Sequence, residues 1–87
     1  MFKTEVYFQN LNTVKTFVDM VSMYPKHEIY LVSDIYTMDA HSLIGILSLD
    51  ISHPIELQVL SDDIPQSFFE DLKPFIYQKT TALQPER

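Results

Sequence analysis

The stretch that decides the fold of this 87-residue chain is His41-Ser42-Leu43-Ile44-Gly45-Ile46-Leu47-Ser48-Leu49. A serine directly before an apolar run is typical of a helix N-cap, because its oxygen can accept a backbone N–H of the first turn. We therefore predict a short helix over Leu43–Leu49. The unbroken hydrophobicity of the run is equally compatible with a buried strand, and periodicity alone does not separate the two. Gly45 is the only glycine in the chain.

Four strands are predicted on the two sides of this segment. Phe2–Phe8 and Ile55–Val59 alternate apolar and polar residues, which is typical of half-buried strands. Glu28–Ala40 predicts two more, joined by a turn near Ser33–Tyr36.

Two longer helices are predicted from residues that recur at three- and four-residue steps. The first carries an apolar stripe from Leu11 to Tyr24, with an N-cap at Asn10 or Asn12 and an end at Pro25. The second has its apolar face at Phe68, Phe69, Leu72, Phe75 and Ile76.

The start and the end of the second long helix are both marked in the sequence. Asp62, Asp63 and Pro65 are a helix-start signal, since acidic residues favour the positive end of the helix dipole. Pro74 removes a backbone donor, so it predicts a kink or an early end.

The order βαββαβα predicts an α+β fold. The economical arrangement is an open-faced β-sandwich, a four-stranded antiparallel sheet with three helices on one face. We expect one domain over residues 1–78 and a polar C-terminal tail over 79–87. The centre of the core is predicted to contain Phe17, Val21, Leu72 and Phe75.

Composition excludes several functions. The chain has no cysteine, so it offers no disulfide and no thiolate site, and its net charge of −6 disfavours nucleic acid and anionic membranes as partners. It shows no signal peptide and no apolar run of membrane-spanning length, so we predict a cytoplasmic protein. His27, His41 and His53 lack the spacing of a metal site, and we interpret them as solvated loop residues with no metal or other cofactor.

The segment quoted first resembles the region around the regulatory serine of HPr, the histidine-containing phosphocarrier of the sugar phosphotransferase system. The family pattern there is roughly K-S-I-M-G-V-M-S-L, and Ser42, Gly45, Ser48 and Leu49 match it in place. The likeness extends over about 75 residues, with one short insertion and one short deletion, and it implies the same βαββαβα fold.

The resemblance also implies that the phosphocarrier site is degenerate. The family opens its first helix with G-[IL]-H-A-R-P, in which the histidine carries the phosphoryl group and the arginine helps to hold it. Asn10 stands at the position of that histidine and Asn12 at that of the arginine. An amide has no basic lone pair and no charge, so we expect no phosphoryl transfer and no enzymatic activity here.

Two features of the short helix are candidates for function. The resemblance implies regulatory phosphorylation at Ser42, although capping alone is sufficient to explain a serine there. Leu43, Ile44 and Leu47 occupy positions that form an exposed docking patch in HPr, although ordinary core packing would account for some of them.

The expected function is that of a non-catalytic HPr-like binding or regulatory protein that docks through the start of the first long helix and the Ser42 helix. Its protein partner would be a phosphotransferase enzyme, a kinase or a regulator. Two alternatives stay open: a phosphocarrier component that uses another residue, and a small self-associating α/β domain. We expect a monomer or a weak homodimer.

Overall fold

The computed structural model describes residues 1–77, in which four strands and three α-helices follow one another in the predicted order. The strands are β1 (Phe2–Val6), β2 (Ile29–Ser33), β3 (Tyr36–Asp39) and β4 (Ile55–Val59). The helices are α1 (Leu11–Val21), α2 (Leu43–Leu47) and α3 (Gln66–Leu72), and a 3-10 turn, Lys73–Phe75, follows α3. The last residue of the predicted domain and the predicted polar tail, 79–87, lie outside the described residues.

The strands form one antiparallel sheet in the order β1-β4-β2-β3. Alternation along each strand separates the two faces, because successive side chains of a strand point to opposite sides. Ile29, Leu31, Ile55, Leu57 and Val59 are buried on one face, beneath the helices. The predicted α+β fold, with a four-stranded antiparallel sheet and helices on one face, is confirmed.

The core lies between this sheet face and the helices. Phe17 and Val21 of α1, Leu72 of α3 and Phe75 of the 3-10 turn are all buried, as predicted for its centre. They belong to one hydrophobic cluster with the buried strand residues, and the Phe17 and Phe75 rings lie edge to face with centroids 5.3 Å apart. Docking of α1 and α3 therefore depends on these side chains.

The structure corrects two predicted features of the long helices. Leu11 is 60% exposed, because it is the first residue of α1 and points away from the stripe that Val14 and Phe17 begin. The helix-start signal is in the right place, since α3 begins at Gln66 directly after Pro65, but Asp62 and Asp63 lie before its first turn, which contains no acidic residue. Asp62 is instead 3.7 Å from the N-terminal amine, and Asp63 is 4.0 Å from His27.

The predicted effect of Pro74 is confirmed. The α-helical hydrogen bonding of α3 ends at Leu72, and Pro74 lies inside the 3-10 turn that follows. After that turn the chain runs beside β1, where the N–H of Tyr77 donates to the carbonyl of Glu5 and the N–H of Tyr7 donates to the carbonyl of Phe75. None of the helices in residues 1–77 has the length and apolar character needed to cross a membrane.

Candidate functional site

The start of α1 is held by Asn10. Its backbone is extended, with φ −163° and ψ 179°, so its side chain can turn back over the first turn. The Asn10 Oδ1 atom accepts hydrogen bonds from the Thr13 N–H at 3.0 Å and the Thr13 hydroxyl at 3.1 Å. Asn12 is exposed, and its carbonyl accepts the Thr16 hydroxyl at 3.0 Å. Asn10 is therefore the N-cap of the two candidates, and its amide oxygen is occupied by capping.

The turn before α2 is organised by Asp39 and His41. Asp39 Oδ1 accepts the backbone N–H of His41 at 2.9 Å and lies 3.0 Å from its Nδ1, while the Asp39 carbonyl accepts the Ser42 N–H at 3.0 Å. The backbone hydrogen bond from His41 lowers the pKa of the Asp39 carboxyl, and the contact with the His41 ring adds to this effect. His41 Nε2 is 3.3 Å from the carbonyl of Tyr24, so the turn is tied to the end of the α1 segment.

The predicted N-cap of α2 is confirmed. Ser42 is exposed and has extended backbone angles, and its Oγ atom accepts the Gly45 N–H at 3.1 Å. This capping resolves the ambiguity between helix and strand, but the helix ends at Leu47 and not at Leu49. Ser48 closes it, with its N–H and its hydroxyl both donating to the carbonyl of Gly45.

Apolar side chains on α2 divide between the core and the surface. Ile46 is fully buried and Leu43 is half-buried against the core, whereas Ile44 is 82% exposed and Leu47 is 45% exposed. We call Ile44 and Leu47 the α2 patch. α1 and α2 are in contact, and α1 contributes another exposed leucine, Leu11. Of the three residues predicted to form a docking patch, Leu43 therefore packs mainly against the core, and only Ile44 and Leu47 are exposed.

The histidines are less solvated than the sequence suggested. The side chains of His27 and His41 are only 15% and 28% exposed, and the buried Nδ1 of His27 has no hydrogen-bond partner within residues 1–77. His53 is 48% exposed and lies 3.6 Å from Asp50. His27 and His41 lie on loops, as interpreted, but their side chains are only partly solvated. In the described part of the chain, no three His, Asp or Glu side chains are grouped so that they could hold a metal ion.

Comparison with known proteins gives one structural likeness. No model of a known protein family and no curated protein sequence matches the chain. The fold is similar to the crystal structure of HPr-C-His from Thermoanaerobacter tengcongensis, with a TM-score of 0.69, 21% sequence identity, and coverage of 85% of this chain and 89% of that chain. At this identity the likeness shows the fold, so the HPr-like architecture predicted from the sequence is confirmed.

Proposed function

We propose that this chain is a non-catalytic, HPr-like binding protein related to the sugar phosphotransferase system, and that it docks protein partners through the start of α1 and the α2 patch. The observation that carries the proposal is the exposure of Ile44, at 82%, beside that of Leu47 on the short helix that follows Ser42. The cytoplasmic location predicted from the sequence belongs to the same proposal.

The α2 patch supports docking because its exposure is not needed for folding. Ile46 and Leu49 already bury the inward side of this segment, so Ile44 and Leu47 could be polar without loss of the core. Apolar side chains grouped on a surface favour contact with a partner, because their removal from water contributes free energy to association. Leu11 is a further exposed apolar side chain, at the start of α1, the helix that contacts α2.

The non-catalytic part of the proposal rests on Asn10. Its amide oxygen accepts two hydrogen bonds within the first turn of α1, and an amide nitrogen has no basic lone pair to take a phosphoryl group. Asn12 supplies no cation to hold such a group. The three histidines of the chain follow α1, precede α2 and precede β4, so none of them stands at the start of α1.

Within this proposal Ser42 is the candidate for regulatory phosphorylation. The residue is exposed, and it lies next to the α2 patch in the chain. A phosphate there would add nearly two negative charges beside Ile44 and Leu47. An apolar partner surface would have to desolvate that charge, so phosphorylation would weaken docking.

Two isoleucine-to-serine variants, matched in the exposure of the side chain that they replace, test the docking surface. Ile44→Ser removes an isoleucine from the α2 patch, whereas Ile35→Ser removes one of nearly equal exposure, 88%, from the turn between β2 and β3. Isothermal titration against a purified general phosphotransferase enzyme should show a loss of affinity of at least tenfold for Ile44→Ser, about 1.4 kcal/mol, and little change for Ile35→Ser. Equal affinities of the two variants would contradict docking through α2.

Two further measurements test the other parts of the proposal. Ser42→Asp keeps a capping oxygen and adds a charge, so it should preserve stability and weaken binding in the same titration; unchanged binding would leave Ser42 with its capping role alone. Incubation with phosphoenolpyruvate and the general phosphotransferase enzyme should leave no acid-labile phosphate on the chain. A phosphohistidine signal would favour the phosphocarrier alternative instead.

A further inference from the structure

A groove of about 1010 Å³ runs between α1 and the segment from α3 to Tyr77. The two walls run in opposite directions. Phe17, in the middle of α1, contacts Phe75 after α3, whereas Tyr24, beyond the end of α1, has its hydroxyl 2.7 Å from Asp71 Oδ2 within α3. The α1 wall extends from Asn10 to Met23, a length of about 20 Å at the helical rise of about 1.5 Å per residue. About six residues of extended chain have that length.

One end of the groove is negatively charged. Within residues 1–77, the charged side chains that line it are Asp19 and Asp71, and both residues are exposed. The end of α1 lies beside them, and the last turn of this helix contains no basic residue to offset the negative end of its dipole. A cation that entered this end would therefore interact with two carboxylates and the helix terminus together.

The rest of the lining is mixed. Amides and hydroxyls line it around the start of α1, at Gln9, Asn10, Asn12, Thr13 and Thr16, and the other lining residues are apolar or aromatic. Met20 is buried at the floor of the groove, Met23 is 70% exposed, and the Tyr7 and Tyr77 rings meet edge to face with centroids 6.2 Å apart. Methionine adapts to ligands of different shape because its side chain is unbranched and polarizable. Aromatic rings add apolar area and attract cations over their faces. The methionine and tyrosine side chains therefore provide an apolar surface on which leucine-like side chains of a ligand can pack.

We propose that this groove binds an extended peptide segment of a partner protein that combines basic and apolar residues. A lysine or arginine of the segment lies at the end formed by Asp19 and Asp71, and its apolar side chains pack on Met20, Met23 and the tyrosine pair. Charge complementarity selects the basic residue, and the length of the groove selects an extended peptide over a compact ligand. The groove includes Asn10 and Asn12, so it shares the start of α1 with the proposed docking surface, but neither residue of the α2 patch lines it.

The experiment uses two fluorescein-labelled peptides of eight residues on the full chain. One alternates lysine and leucine, and the other has glutamate in place of lysine. Fluorescence anisotropy should show saturable binding of the lysine peptide alone, and the amide NMR signals of Thr16, Met20 and Met23 should shift on its addition. Asp19→Asn combined with Asp71→Asn should weaken binding at least tenfold.

A matched control separates the groove from the general acidity of the chain. Asp62→Asn combined with Asp63→Asn changes the charge by the same amount at two exposed positions before α3 that do not line the groove. This control and Ile44→Ser should each leave the affinity for the lysine peptide within twofold. Equal losses in the two aspartate pairs, an unchanged affinity of the Asp19 and Asp71 variant, or no saturable binding of the lysine peptide would each overturn the proposal.

Discussion

The substitution Phe75→Ala tests how the last helix is attached to the domain. Phe75 lies in the 3-10 turn after α3, is 5% exposed, and places its ring edge to face on Phe17 of α1 at a centroid distance of 5.3 Å. Its backbone carbonyl also accepts the Tyr7 N–H at 2.9 Å, an interaction that alanine preserves. The variant therefore removes the side-chain contact between α1 and this turn while it keeps the backbone contact to the residue after β1.

The expected loss is large for a domain of this size. Truncation of a buried phenylalanine to alanine costs about 3–5 kcal/mol, which includes the cavity left behind and about 0.5–1.5 kcal/mol from the aromatic pair. Domains have about 0.05–0.15 kcal/mol of stability per residue, or roughly 4–13 kcal/mol for a chain of this length. The melting temperature should fall by at least about 12 °C, at about 4–8 °C per kcal/mol.

The assay is thermal and urea unfolding followed by circular dichroism, with Phe69→Ala as the control. Phe69 is only half-buried and its ring packs on Phe2 at the edge of the core, with centroids 5.0 Å apart, so its loss should cost about 1–2 kcal/mol. Equal destabilisation by the two variants, or an unchanged melting temperature of Phe75→Ala, would refute the docking of α3 and its 3-10 turn on α1.

Two other predictions concern the polar groups that hold the helix starts. Asn10→Ala should cost about 1 kcal/mol, because the Thr13 N–H loses its capping acceptor, whereas Asn12→Ala should stay within about 0.5 kcal/mol in the same urea titration. The pKa of Asp39 is lowered, first of all by the hydrogen bond from the His41 N–H. The ionised Asp39 therefore stabilises the fold above the ordinary aspartate pKa of about 3.9, and this stabilisation is lost as the pH falls below that value. Asp39→Asn should therefore reduce stability at about pH 6 and narrow its difference from wild type at about pH 2.5, and a difference that does not change with pH would contradict this assignment.

The fold could be predicted because its determinants are local. Alternation over five residues decides which face of a strand is buried, so Ile55–Val59 was sufficient for β4. A three- and four-residue spacing does the same for α1, apart from its first residue, Leu11. Helical spacing predicts burial least well for a terminal residue, because no preceding helical turn covers its side chain.

The geometry of the candidate site could be predicted only in part. The capping of α2 by Ser42 spans three residues and was predictable, whereas the contact of His41 with the carbonyl of Tyr24 spans seventeen. No sequence spacing indicates such a contact, because it depends on how α1 packs beside α2. The groove is even less predictable from sequence spacing, because Asp19 belongs to α1 and Asp71 to α3, which are far apart in the chain.

In α2, the residues that explain the local fold differ from the residue that suggests a function. A Cβ atom at Gly45 would lie 3.2 Å from the Ser42 Oγ, the atom that caps α2, so glycine leaves room for the cap although glycine costs about 1 kcal/mol inside a helix. The Ser42 and Gly45 pair is thus explained by local packing, and its presence is not by itself evidence for a partner. Ile44 is different, because neither capping nor the core requires an apolar side chain that is 82% exposed. Function should therefore be sought by changing Ile44 in a chain whose cap and glycine are kept intact.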